Sequence, residues 1–440
     1  MEVVESIYLI HRLLQATSLT CLHYERGAKL KQSKGLFFYS ISVALISIGL
    51  LLHGIFDTSF YRTGNNDVGS TVDYIQLLGV RVAHLVSVLE SLCRRKTEID
   101  FFQKIQEIDE IFEKSLHENL RKNEFRKKMI WRCLGMCLLY LGSQLFVLGA
   151  LLISVDFICL QYWIAYFFPL AINGFRYFQV FISVYMVKIR FDKINDCLGS
   201  LKLHLKIKNS GNPKYSQNFV LTTEIYETGQ RLNRINSTAA AYSRLIIIRD
   251  IYNRLWEVTL LINKCYGISL LINIGNDFVS ITANCYWMFL RFKQAQNSTF
   301  LELIQTIGSA VWSIPHFFNM LIITAVCHWT VQSANKTAVM VHKIDIDIGN
   351  DSHNIFVRQI YYKNKIVIIL TVLVLQIEQF SLQLLHQKIG FTAFGFFNVD
   401  FTLLYTIAGA TTTYLIILIQ FHMSEQKNTS VSVTRTTPNG

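Results

Sequence analysis

The sequence predicts an all-α polytopic membrane protein. It has seven transmembrane helices, a cytoplasmic N-terminus, an extracellular C-terminus and a cytoplasmic helical anchor. Three observations predict this class. Of 440 residues, 51% are hydrophobic and 16% charged, against about 25% charged in soluble domains, and the mean hydropathy is +0.32. Seven apolar runs are long enough to cross a hydrocarbon core of about 30 Å. Lys and Arg outside those runs fall 34 on one set of alternate connections and 5 on the other. Since basic loops stay inside, the richer set, with the N-terminus, faces the cytoplasm. The same bias removes nucleic acid as an explanation of the +12 formal charge and leaves membrane lipids as the bulk partner.

Residues 1–35 mix apolar positions with His11, Arg12, Glu25, Arg26, Lys29, Lys31 and Lys34. That pattern is not a cleavable signal, so a cytoplasmic N-terminal segment is expected, with the first span as its own insertion signal. Spans follow at 36–56, 71–93, 129–154, 161–187, 264–290 and 303–331. With their connections they make a ligand-sensing domain over 36–331. The cytoplasmic connections read as helix: Ile99, Phe102, Ile105, Ile108, Phe112 and Leu116 recur at three and four, as do Leu221, Ile225, Leu232 and Ile235. Only 206–217 reads as a flexible loop. Pro169 and Pro315 lack a backbone donor and are expected to kink the fourth and sixth spans. Residues 332–397 form the cytoplasmic anchor. Its run IVIILTVLVLQI, 366–377, is short for a crossing. The seventh span covers 398–421, and 422–440 is a polar extracellular tail expected to be disordered.

The seventh span carries the strongest functional signal. Thr406, Ala410, Thr413, Ile417 and Gln420 fall close to one stripe. A primary amide in a lipid-spanning helix needs protein or water, so the stripe is expected to line a pore. Ile417 and Phe421, one turn apart, would form two apolar rings that block ions by dewetting. No acidic ring lies on the stripe, which predicts weak cation preference, biased only by Asp400 and Glu425 near its ends.

The ligand site is expected where polar and aromatic residues share helix faces. Trp163 and Tyr166 in the fourth span, Asp277, Asn284 and Trp287 in the fifth, and Gln305, Trp312 and His316 in the sixth are the candidates. Arg81, His84, Arg176 and Asp277 are ionisable residues at depth; an Arg81–Asp277 bridge competes with a direct ligand role for Asp277. Of five N-x-[ST] sequons, Asn297 and Asn428 lie on the outer side and are the glycosylation candidates. The nine cysteines are scattered, and Cys133 and Cys137, one turn apart, read as packing residues. HExxH, GxxxxGK[ST] and GxSxG do not occur, so no enzyme activity, cofactor or metal is expected.

Thr413, Tyr414, five apolar residues, Gln420 and Phe421 resemble the TYhhhhhQF signature, h being hydrophobic, that closes insect gustatory receptors. The run from Phe380 to Ala410 is similar to the same family's approach to its last helix. The likeness is greatest to the bitter and multimodal sensory branch. It implies a tetramer, homomeric or with related receptors, around a shared pore, and a 366–377 helix within a cytoplasmic bundle. It also implies a small-molecule tastant, permeating cations, and the plasma membrane of a sensory neuron's dendrite and cell body. Whether heat or light also gates the channel stays open. The alternative from another class is a secondary transporter, against which stand the odd number of spans and the lack of paired broken helices.

Overall fold

The computed structural model describes residues 7–23, 30–56, 67–118, 122–154, 166–209, 220–294, 300–359 and 365–435. In chain order these form α1 (Tyr8–Ala16), β1 (Leu22–His23), β2 (Lys31–Gln32), α2 (Lys34–Phe56), α3 (Asp67–Ser115), α4 (Lys122–Ser154) and α5 (Phe168–Asn209). Then come α6 (Val220–Gln294), α7 (Phe300–Gln359), α8 (Lys365–His386), β3 (Thr392–Ala393), β4 (Phe397–Asn398) and α9 (Phe401–Arg435). Among the described residues seven helices, α2 to α7 and α9, are long and apolar enough to span a bilayer. The chain is a seven-span, nearly all-helical protein; its strands are two-residue antiparallel ladders, β1 with β2 and β3 with β4.

Spans and connections are continuous. The stripe read over 98–116 is the inner half of α3, where Phe102, Ile105, Ile108, Phe112 and Leu116 are buried. α3 packs along α6, and α5 along α7; α5 is the most enclosed span, while α2 and α9 bury least against their own chain. The short apolar run lies in α8, which buries Leu373, Ile377, Phe380 and Leu384 at helical spacing. Phe380 meets Tyr252 of α6 edge-on, centroids 5.8 Å apart, and Arg249 of α6 donates to Gln376 at 2.8 Å.

Pro169 follows two π-helical residues, 166 and 167, at the start of α5, and Pro315 lies inside α7. Three expectations are corrected. α5 runs to Asn209, so 206–209 is helix, and 210–217 lies outside the described residues. α9 begins at Phe401 because Asp400 caps it, accepting from the Thr402 N–H at 2.8 Å. Asp400 is thereby a helix cap as well as a charge. α9 also continues to Arg435, so helix replaces the expected tail as far as that residue.

The N-terminal segment is wedged into the bundle. Leu19, Thr20, Cys21 and Leu22 are buried, and Ser18 turns with φ 58. The Leu19 carbonyl accepts from Ser91 of α3 at 2.8 Å and from Gln179 of α5 at 3.2 Å. Thr20 donates to Glu98 at 3.0 Å. Such a turn costs buried backbone acceptors, and these side chains satisfy them.

Candidate functional site

α9 has two faces. Leu403, Thr411 and His422 are buried, with Ile407, Leu415 and Leu418 half-buried along the same stripe. At about 100° per residue, the Thr406–Ala410–Thr413–Ile417–Gln420 stripe stands roughly 120° from it. Thr406, Thr413, Ile417, Gln420 and Phe421 are exposed and Ala410 half-buried, with Phe421 62% exposed. The threonine hydroxyls donate back to their own helix, Thr406 to Thr402 at 3.1 Å and Thr413 to Gly409 at 3.0 Å. Their lone pairs stay available on the outer face.

A second constellation lies between α4, α5, α6 and α7. Trp312 donates its indole N–H to the Tyr166 hydroxyl. Tyr166 Oη is 3.2 Å from His316 Nε2, and His316 Nδ1 is 2.7 Å from Asp277 Oδ1. Tyr166, His316 and Asp277 are buried. An indole can only donate, so the Tyr166 hydroxyl accepts from Trp312. Tyr140 of α4 donates to Asn319 at 2.6 Å, and Gly174 of α5 admits the Tyr140 ring: a Cβ there would stand 2.5 Å from it.

Four ligand candidates, Tyr166, Asp277, Trp312 and His316, are thus joined. Asn284 is buried on the same stripe of α6, with Nδ2 unpartnered. Trp287 stands apart, donating to Asp73 of α3 at 2.7 Å and packing over Gly69. Trp163 and Asn297 lie outside the described residues, and Gln305 and Asn428 lie on helices with side chains outside them. The Arg81–Asp277 bridge does not form: Arg81 donates to the Leu50 carbonyl at 3.0 Å, and Asp277 has His316.

The ion pair that does form uses Glu90, a residue absent from the sequence reading although it is a carboxylate inside the 71–93 run. Arg176 Nη2 meets it at 2.8 Å. The same guanidinium donates to Ser269 and Ser91, and Glu90 also accepts from the backbone N–H groups of Ile268 and Ser269 at 3.0 Å each.

A family model for the 7tm chemosensory receptor matches residues 7–357 and 367–425. The chain is 40% identical to gustatory receptor 2a of Drosophila melanogaster over 97% of its own length and 98% of that protein's. It belongs to the insect gustatory receptors. The receptor also shares 27% identity with the Drosophila gustatory receptor for bitter taste 66a, over 34% of this chain and 25% of that one. An insect olfactory receptor of Machilis hrabei, solved in complex with eugenol, superposes with a TM-score of 0.58 at 14% identity, covering 96% of the receptor and 100% of that chain. At that identity the likeness is one of fold.

In the gustatory receptor, α6 touches both constellations. One side carries Asp277, Ser280 and Asn284; another meets α9. Phe278 packs edge-on against Tyr414 with centroids 5.8 Å apart. Thr282 and Thr411 hydroxyls are 3.4 Å apart, and Tyr286 Oη lies 3.2 Å from His422 Nδ1. Leu415 and Leu418 pack on Val72, Ala283, Tyr286 and Leu290.

Proposed function

We propose that this receptor is a ligand-gated, nonselective cation channel in the plasma membrane of a sensory neuron, opened by a small-molecule tastant of the bitter type. The observation that carries the proposal is the polar stripe of α9, which is turned from its own bundle on a helix that buries little. Lipid is a poor environment for the Gln420 amide. Four copies of α9 around an axis would enclose that face and hydrate it, with Ile417 and Phe421 as the resting constriction. The excess of basic residues on one side of the membrane supports an N-terminus in the cytoplasm and this constriction near the outer mouth.

The tastant occupies the buried group built from Tyr166, Asp277, Asn284, Trp312 and His316, in the outer half of the spans. A ligand that binds one arrangement of α6 better than another shifts the gate by its difference in affinity, transmitted through Phe278–Tyr414 and Tyr286–His422. Whole-cell and single-channel recording from cells expressing the chain, alone and with related receptors, tests the reading against alkaloids, sugars and temperature steps. Unitary cation currents evoked by a tastant support it. Ligand uptake without unitary steps would replace it with transport.

A further inference from the structure

The N-terminal helix α1 has two faces. Ile7, Ile10, His11, Leu14 and Gln15 are buried against the bundle, while Tyr8, Leu9, Arg12, Leu13 and Ala16 are turned out. Leu9 is 59% exposed. A helix that is apolar on its outer side as well as its inner one needs a second apolar surrounding.

Its link to α2 shows what that surrounding is. The Tyr39 hydroxyl donates to the Ala16 carbonyl at 2.7 Å and ties the end of α1 to α2. Tyr39 stands five residues past Lys34, about 7.5 Å along α2, and helical side chains lean toward the N-terminal end. The contact therefore lies near the level at which the 36–56 apolar run enters the bilayer. That level suits a helix lying in the interface, whose apolar face sinks about 5–10 Å into the boundary between headgroups and acyl chains. α2 itself is turned to lipid: Phe38, Leu45 and Leu52, spaced by seven, are exposed on a span that buries little against its own chain.

The charge around this face has one sign. Residues 8–34 hold five Lys or Arg, at 12, 26, 29, 31 and 34, against one acid, Glu25. Lys31 and Lys34 are exposed just before and at the start of α2. Arg12 is held by neutral groups, the Tyr8 hydroxyl at 2.9 Å and the Gln15 side-chain oxygen at 3.4 Å. Arg95 of α3 lies over the Phe37 ring of α2, 4.4 Å from its centroid. Basic residues around an apolar helix face at the cytoplasmic boundary complement a leaflet with anionic headgroups. A second copy of the chain presenting the same face would meet like charge.

We propose that α1 lies in the cytoplasmic headgroup layer and binds anionic phospholipids of the phosphatidylserine type. Arg12, Lys31 and Lys34 hold the headgroups, and Leu9 and Leu13 sit among the acyl chains.

Photo-crosslinking of the purified full-length receptor tests this in phosphatidylcholine nanodiscs. One sample carries a small fraction of diazirine-bearing phosphatidylserine, a parallel one the same fraction of diazirine-bearing phosphatidylcholine. Mass spectrometry reads the label on residues 8–16 relative to residues 45–52, the lipid-facing reference. Relative label on 8–16 should be at least about threefold higher from phosphatidylserine. Arg12→Gln combined with Lys31→Gln and Lys34→Gln should bring the two lipids close to equal. Should that variant not fold, the unaltered chain carries the same comparison. Raising salt from about 0.1 M to about 1 M shortens the screening length from about 10 Å to about 3 Å and should remove most of the excess. Equal labelling by the two lipids, or an excess that survives the substitutions or the salt, would overturn the proposal. Label on 45–52 with none on 8–16 from either lipid would also overturn it, by placing protein over α1. No current is measured, so failure here and failure of the channel reading are distinguishable.

Discussion

Glu90 and Arg176 face each other at 2.8 Å across α3 and α5, each side chain only 3% exposed. Ser91, Gln179 and Ser269 complete the guanidinium's bonds. Removing one partner strands a buried charge at about 3–5 kcal/mol. Arg176→Ala should therefore abolish folded receptor at the cell surface. A paired Glu90→Leu, Arg176→Met chain, which buries no charge, should recover much of it. Fluorescence size-exclusion profiles and surface labelling read both; equal loss in single and double variants would contradict the account.

The second prediction concerns Phe421 and Gln420. Phe421→Ala should raise resting current, because removing the bulk of the outer ring lets water through the constriction. Gln420→Leu should lower unitary conductance without altering surface amounts, since it removes the amide from the conducting face. Recording at fixed expression checks both. Unchanged resting current and gating in Phe421→Ala would mean the constriction lies elsewhere.

On the proposed function, transmission from the buried group to α9 is separable from binding. Phe278→Ala removes the ring contact with Tyr414 while leaving Asp277, Ser280 and Asn284 on their own face of α6. We expect the half-activating tastant concentration to shift by about fivefold or more, corresponding to a coupling energy of about 1 kcal/mol or more, with direct binding unchanged. A matching shift in binding would place Phe278 in the ligand site instead.

The N-terminal wedge should loosen in acid. Burial lowers His11 from 6.5 to about 4, and its ring nitrogen is 3.1 Å from the Leu22 carbonyl. A base depressed in the folded state contributes fully above its unfolded pKa and is lost as pH falls from 6.5 through 4, at most on the order of 3 kcal/mol. Hydrogen-exchange protection factors over residues 8–23 should fall across that window, and His11→Gln should flatten the dependence. Protection that rises in acid would reverse the sign and refute the cause.

Much of the fold was legible because membrane insertion is written in composition. Twenty apolar residues and a one-sided basic bias are local signals, and the heptad-like recurrence over 98–116 needed only a buried face, which α6 supplies. The short 366–377 run was set apart from the spans by its length and by the family likeness. Residue pairing was less accessible: Asp277 was visible as a buried acid, but its partner depended on which face of α7 turned inward, and His316 won over Arg81. Glu90 went unread because it sits near the inner end of an apolar run, where carboxylates are often interfacial. The wedge of 18–22 carries no periodic signal, and its Leu19 carbonyl is satisfied by side chains seventy or more residues away. Trp287 shares a helix with Asp277 but turns toward Asp73, which spacing alone did not separate.

The 75 residues of α6 form a single rod of about 112 Å at 1.5 Å per residue, several times a bilayer's thickness. A rod of that length acts as a lever. A tilt of only five degrees about one end sweeps the other through roughly 10 Å, so a small rearrangement beside Asp277 becomes a large displacement at Val220. Anything that grips that distant tip gains mechanical advantage over the buried group.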